Sequence, residues 1–210
     1  MRRIRVIPVL LLKERGLVKT VRFSDEVYVG DPINAVKIFN EKEVDEIILL
    51  DITATVQKRP PDIKRIANIA SECFMPLCYG GGISKIEEIK ELFYLGVEKI
   101  SINAAAITHP HLISEAAALF GSQSIVVAID VKKNIFGKYR AYTHRGNTDT
   151  KKEIIQFVKE AENNGAGEIL LTSIDREGTF LGYDLELIQK VSDTVSIPVI
   201  VSGGARDVND

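Results

Sequence analysis

The chain carries two copies of one pattern. Residues 45–54 read DEIILLDITA and residues 167–179 read GEILLTSIDREGT, and matching Glu46 to Glu168 sets an offset of 122 residues. The same offset lays Pro76-Leu77-Cys78-Tyr79-Gly80-Gly81-Gly82 on Pro198-Val199-Ile200-Val201-Ser202-Gly203-Gly204. Each copy is an acid, an apolar run ending in polar groups, then a proline, a short apolar run and a glycine pair. A repeat of this kind constrains architecture before any local propensity is weighed. One half of the chain is expected to fold as the other does.

Apolar runs of strand length recur around the two copies, at 6–12, 46–51, 77–79, 99–102, 124–130, 168–173 and 199–202. Runs that are apolar on successive residues suit strands buried on both faces, as in parallel sheets. Helical spacing lies between them, over 32–43, 84–95, 151–163 and 184–192. Asp31 is placed to cap the first of these. Ser84 and Glu87 stand in capping-box positions, and Gly96 and Gly165 are stops. Seven βα-type units in two related halves predict an α/β fold, a single (β/α)8 TIM barrel over 1–210 with half-barrels of about 1–120 and 121–210. A doubly wound sheet fits less well, because no G-x-G-x-x-G follows the first run. The chain stops just past the seventh run, so the eighth βα unit is expected to be missing from it. A seven-stranded barrel would leave two sheet edges unpaired.

The chain is 45% hydrophobic and 27% charged with a net charge of −2, an ordinary soluble composition. The near-neutral balance argues against nucleic acid as a partner. No apolar run approaches the ~20 residues of a membrane span. The N-terminal basic residues and VIPVLLL mimic a short signal peptide, but Lys13-Glu14-Arg15 cuts the run off, and a buried first strand is the better reading. Cys73 and Cys78 read as reduced core thiols of a cytoplasmic protein and make a poor zinc set. Neither a metal nor an organic cofactor is expected.

In a barrel, chemistry gathers where strands end. Gly81-Gly82 and Gly203-Gly204 each lead towards a helix, and backbone N–H groups without a Cβ in the way can surround a phosphate. Two such loops at related positions suggest an elongated bisphosphate ligand; the alternative is that the glycines only make tight turns. Asp130 ends an apolar strand, where a carboxylate is costly without a partner or a function, so it is a candidate general acid or base. A structural Asp capping a loop is the competing reading. Asp51 is similar. Lys19, in a polar loop after the first strand, could reach a ligand or simply be a solvated charge. Arg5, Glu46, Lys99 and Glu168 stand at strand starts and could form a ring of ion pairs.

These segments together resemble a known family. RVIPVLLLK, GDP at 30–32, LLDITATVQKR at 49–59, YGGGI at 79–83, KISINAAAI at 99–107, FGSQSIVVAIDVK at 120–132, GAGEILLTSIDREGT at 165–179 and IPVIVSGGA at 197–205 are similar to the cyclase subunit of imidazole glycerol phosphate synthase, the HisF type. The resemblance covers essentially the whole chain. It implies a barrel of half-barrel ancestry and a glutaminase partner in a heterodimer. It also implies passage of ammonia through the barrel to a phosphorylated small-molecule substrate. The charged ring Arg5, Glu46, Lys99 and Glu168 resembles the family's ammonia gate. Gly82, Asn103, Gly178 and Gly204 fall on phosphate-binding positions, and Lys19, Asp51, Asp130 and Thr172 on active-site ones.

The departures are informative. The family uses an aspartate pair, one after the first strand and one after the fifth. Laying Val131-Lys132 on Leu12-Lys13 puts Leu11 opposite Asp130, and a leucine moves no proton. Ala104 stands where a phosphate-contacting Thr is usual, and Glu177 where Asp is usual. The gate is retained and the cyclase chemistry altered, a combination that resembles divergent HisF-like homologues of surface-polysaccharide pathways. Three functions are therefore expected to compete. The first is ammonia delivery to a phosphorylated acceptor in amidation of a surface-polysaccharide sugar. The second is an imidazole glycerol phosphate synthase cyclase of histidine biosynthesis. The third is a non-catalytic ammonia-channelling partner of the glutaminase.

Overall fold

The computed structural model describes residues 4–207 and 209–210. Among the described residues the fold is α/β, with eleven strands and seven α-helices. The first nine elements are β1 (Val9–Lys13), β2 (Gly16–Val21), β3 (Ser24–Gly30), α1 (Pro32–Glu41), β4 (Ile47–Asp51), α2 (Ile63–Ala70), β5 (Leu77–Gly80), α3 (Ile86–Tyr94) and β6 (Lys99–Ile102). They are followed by α4 (Ala104–Thr108), α5 (His111–Phe120), β7 (Ile125–Lys133), β8 (Tyr139–Thr143), β9 (Thr148–Glu153), α6 (Ile154–Asn163), β10 (Glu168–Ser173), α7 (Leu185–Ser192) and β11 (Val199–Ser202).

The chain forms two compact units. One holds the residues up to Val18 together with Val27–Ser101; the other holds Lys19–Glu26 together with Ile102–Asp210. In the first, strands run in the order β3-β2-β1-β4-β5-β6, with β1, β4, β5 and β6 parallel. Its centre is the IILL run of β4 against Leu77, Cys78 and Tyr79 of β5, all fully buried or nearly so except Leu50. In the second, β7, β10 and β11 are parallel neighbours, and β8 and β9 add antiparallel to β7. All six residues of β10 are buried. The rule that two-face burial gives continuous apolar runs accounts for both sheets.

The sequence repeat is reproduced in register. Ile47 opposite Leu77 becomes, 122 residues on, Ile169 opposite Val199, and Leu50 opposite Gly80 becomes Thr172 opposite Ser202. The glycine pairs repeat too. A Cβ on Gly81 would lie 2.5 Å from the Asp51 carbonyl oxygen, and one on Gly203 would lie 2.7 Å from that of Ser173, 122 residues beyond Asp51. Both glycines have positive φ, so both positions exclude side chains on two grounds.

Helix ends follow local chemistry. Asp31 caps α1 through Ile33 N–H (2.9 Å) and Asn34 N–H (3.1 Å), with Pro32 at the first helical position. Gly96 follows α3 at φ 91° as expected. The predicted Ser84–Glu87 box is replaced by Glu88, whose carboxylate accepts from Ser84 N–H (2.7 Å) and Lys85 N–H (3.0 Å). The helix starts two residues later than spacing suggested, at Ile86, and the box moves with it.

Two hairpin excursions depart from the sequence reading. The first strand runs from Val9 to Lys13, not 6–12, and turns straight back into β2, so Lys19 lies in a strand and not in a loop. Residues 151–153, read as helix, belong to β9. Among the described residues no helix is long and apolar enough to cross a membrane. Cys73 and Cys78 are not joined in a disulfide.

Candidate functional site

In the second unit Asp130 does not end its strand as expected, since β7 runs on to Lys133 where it pairs with β8, and Thr172 is the last residue but one of β10. Asp130 and Thr172 are register partners, so the two side chains leave the sheet at one level. Asp130 continues the fully buried run 125–129, which explains its environment: loss of hydration pushes its carboxyl up to about 7. Asn103, just before α4, opposes that shift. Its Nδ2 donates to Asp130 Oδ2 (3.1 Å) and to Ala128 O (3.1 Å). The second bond fixes the amide against the backbone of the strand that carries Asp130. A carboxyl titrating near neutrality, oriented by one amide, is the form a general acid–base group takes.

Asn103, expected at a phosphate-binding position, also orients Asp130. Gly203 and Gly204 follow β11 with φ of 94° and 106°, and a Cβ on Gly204 would come within 2.2 Å of the Gly182 carbonyl oxygen. Gly178 has φ 70°, and a Cβ there would meet Thr20 O at 2.2 Å. Its lack of a side chain is thus already required by the backbone of residues 20–21. Glu177 beside it holds the same segment, accepting from Thr20 Oγ1 (2.8 Å) and Phe23 N–H (2.9 Å), while its own carbonyl accepts from Arg22 N–H (2.9 Å). Lys19 lies exposed at the start of that segment.

In the first unit, Asp51 is buried and its oxygens are taken up by the loop that follows β4. Oδ1 accepts from Thr53 N–H (3.0 Å), Ala54 N–H (3.0 Å) and Thr53 Oγ1 (2.9 Å); Oδ2 accepts from Arg59 Nη2 at 2.6 Å. Arg59 also donates to Thr53 Oγ1 (2.9 Å). This network makes Asp51 the organiser of residues 51–59. Gly82 packs on the same loop, where a Cβ would lie 2.5 Å from Arg59 O. Arg59 was not singled out from sequence; only its spacing from Asp51 could have suggested the pair.

Three of the predicted gate residues meet in the first unit. Glu46 is 2% exposed, and its Oε2 accepts from Lys99 Nζ (2.7 Å) and Arg5 Nη1 (3.1 Å). Glu168 opens β10 of the second unit and is 8% exposed. Among the described residues no group of three or more His, Cys, Asp or Glu side chains could hold a metal ion.

Comparison with known proteins agrees with this geometry. Residues 5–210 match the family described as histidine biosynthesis protein. The chain is 50% identical over 206 residues to the Pseudomonas aeruginosa protein provisionally named imidazole glycerol phosphate synthase subunit hisF2, covering 98% of this chain and 82% of that protein. It is 51% identical over 211 residues to a Vibrio vulnificus protein provisionally named subunit hisF3 of the same synthase, covering 100% of this chain and 81% of that one. It is 47% identical over 200 residues to imidazole glycerol phosphate synthase subunit HisF of Bacillus cereus, covering 95% and 79%. The matched family and these shared lengths establish that the chain belongs to the histidine biosynthesis protein family, among proteins of the HisF type.

Proposed function

We propose that this chain is the ammonia-accepting synthase subunit of a glutaminase-coupled complex of the imidazole glycerol phosphate synthase type. Asp130 acts as its acid–base group on a phosphorylated substrate. The carrying observation is the carboxyl of Asp130, raised to about 7 and held by Asn103. The positive-φ glycines at repeat-related strand ends support phosphate binding through bare backbone N–H groups. The Glu46–Lys99–Arg5 cluster supports the entry of ammonia at strand starts. Thr172, the register partner of Asp130, shapes the site, and Lys19, exposed in the same unit, is its candidate cation. A glutaminase partner of the HisH type and action in the cytoplasm belong to the same proposal; the word subunit in the relatives' names accords with a partner chain.

Those names favour histidine biosynthesis over the surface-polysaccharide role. One observation keeps a different acceptor as the second reading: Leu11 holds the register position equivalent to Asp130. Steady-state turnover of the histidine-pathway bisphosphate with saturating ammonium separates the two. Turnover that depends on Asp130 supports the first reading. An inactive protein whose glutaminase stimulation survives supports the second.

A further inference from the structure

A polar cavity of about 590 Å³ opens in the second unit. Lys132, two residues along β7 and therefore on the same strand face as Asp130, lines it. Its floor is apolar: a Cβ on Gly146 would lie 3.2 Å from Ile174 Cδ1 and 3.4 Å from Phe23 Cδ2. Ile174 is itself fixed by its N–H to Val131 O (2.8 Å). The walls are charged. Arg145 is committed to Glu26. Arg22 and Lys132 line the cavity with no ion-pair partner among the described residues, and Asp25 is likewise unpaired. The unpaired groups leave a cationic excess around the cavity. Asn147 adds an amide.

The backbone holds these groups in place at a cost. Arg22 (φ 52°) and Phe23 (φ 62°) are both in the left-handed region, which L side chains rarely adopt. Two hydrogen bonds to Glu177 keep them there. Strain that its surroundings over-determine gathers at ligand sites. The neighbouring cavity of about 450 Å³ differs: its Lys133 is paired with Glu186, and Asp175 and Asp184 leave it an acidic lining.

We propose that the Arg22–Lys132 cavity is an anion subsite, additional to the glycine loops, that takes a phosphate or diphosphate group of an ester ligand. Arg22 and Lys132 flank the anion, Asn147 donates to it, and Phe23 offers a face to whatever the phosphate carries. Lys132, two residues from Asp130 on one face of β7, relates it to the substrate site. That role rests on the proposed function; the binding itself does not.

Calorimetric titration of the full chain with inorganic pyrophosphate and with ADP tests it. Both are expected to bind. The double variant Arg22→Gln/Lys132→Gln, folded by circular dichroism, is expected to bind each at least about tenfold more weakly, as befits loss of charge-assisted hydrogen bonds. Asp25→Asn is expected to tighten binding. ADP binding more tightly than pyrophosphate, with the difference lost in Phe23→Ala, identifies a nucleotide ester; equal affinity identifies the phosphate group alone as the recognised chemistry. Unchanged affinity in the double variant overturns the subsite. Asp130→Asn keeps the two proposals apart: it is expected to abolish turnover and to leave pyrophosphate binding intact. Turnover that survives Asp130→Asn counts against the proposed function while the binding arms still stand.

Discussion

Leu11 and Asp130 hold one position in the two copies of the repeat. Leu11 lies opposite Leu50 on β4, and Asp130 lies opposite Thr172 on β10, which is 122 residues beyond Leu50. Ladder pairing thus supports what sequence spacing suggested, independently of any alignment of side chains. The same ladder position carries an acid in one copy and an isobutyl group in the other.

Leu11→Asp therefore restores a carboxyl to the position where the resemblance implies the family's second one. Cyclase turnover of the histidine-pathway bisphosphate with ammonium is expected to rise by about 10² or more, the usual worth of a positioned acid–base group. Leu11 is only partly buried, so the loss of apolar burial is expected to cost about 1 kcal/mol. A folded variant with no gain in turnover would count against a pocket that still fits that substrate.

The pH dependence of Asp130 has a definite sign. Its carboxyl titrates near 7 in the folded protein, above the ordinary carboxylate range, because burial disfavours the charge. That raised value contributes stability fully at pH below the unfolded value and loses it as pH rises through about 7. Asp130→Asn is accordingly expected to melt higher than the parent at pH 8, with the advantage shrinking towards pH 5. With Asp130 as base, kcat/KM is expected to rise with pH to a plateau above 7. The Asn103 hydrogen bond holds the carboxyl lower than burial alone would. Asn103→Ala should therefore move the rising limb to higher pH; an unmoved limb would deny Asn103 its orienting role.

The parallel strands were legible because two-face burial writes itself as an unbroken apolar run. β6, β10 and β11 fall on the runs read from sequence. The hairpins were not, for opposite reasons. β8 alternates buried and part-buried residues over YRAYT, a period-2 signal that was present but short. Most of β3 is exposed, so burial wrote no pattern into SDEVYVG. The site was legible where chemistry and position coincided, as at Asp130. It was obscured where a partner came from far along the chain: Glu177 reaches Thr20 across 157 residues, and no local pattern encodes that contact.

Asp51 and Arg59 offer a test of structural against catalytic roles. Arg59→Ala leaves Asp51 buried with three hydrogen bonds still made, and Arg59 itself is 31% exposed at its side chain. Solvent screening tempers the loss, so a cost of about 1–2 kcal/mol by urea denaturation is expected. Asp51→Ala should cost more, because it also strips Thr53 N–H and Ala54 N–H of their acceptor. Faster amide exchange confined to residues 52–58 in both variants would mark the pair as organiser of that loop. A rate loss without any change in exchange would make Asp51 catalytic instead.

Glu46 and Lys99 carry the last expectation. Glu46 is almost fully buried, and Lys99, at 17% side-chain exposure, lies nearer to it (2.7 Å) than Arg5 does (3.1 Å). Removing the cation alone leaves a buried carboxylate beside the more exposed Arg5, so Lys99→Met is expected to destabilise by about 1–3 kcal/mol. Removing both charges in Glu46→Gln/Lys99→Met should recover part of that loss, since the uncompensated charge is the larger penalty. Under the proposed function the same change separates two supplies of ammonia. Turnover driven by glutamine through the partner should change in Lys99→Met, while turnover driven by free ammonium should not. Equal effects on both would place Lys99 in the stability of the sheet and not in the passage of ammonia.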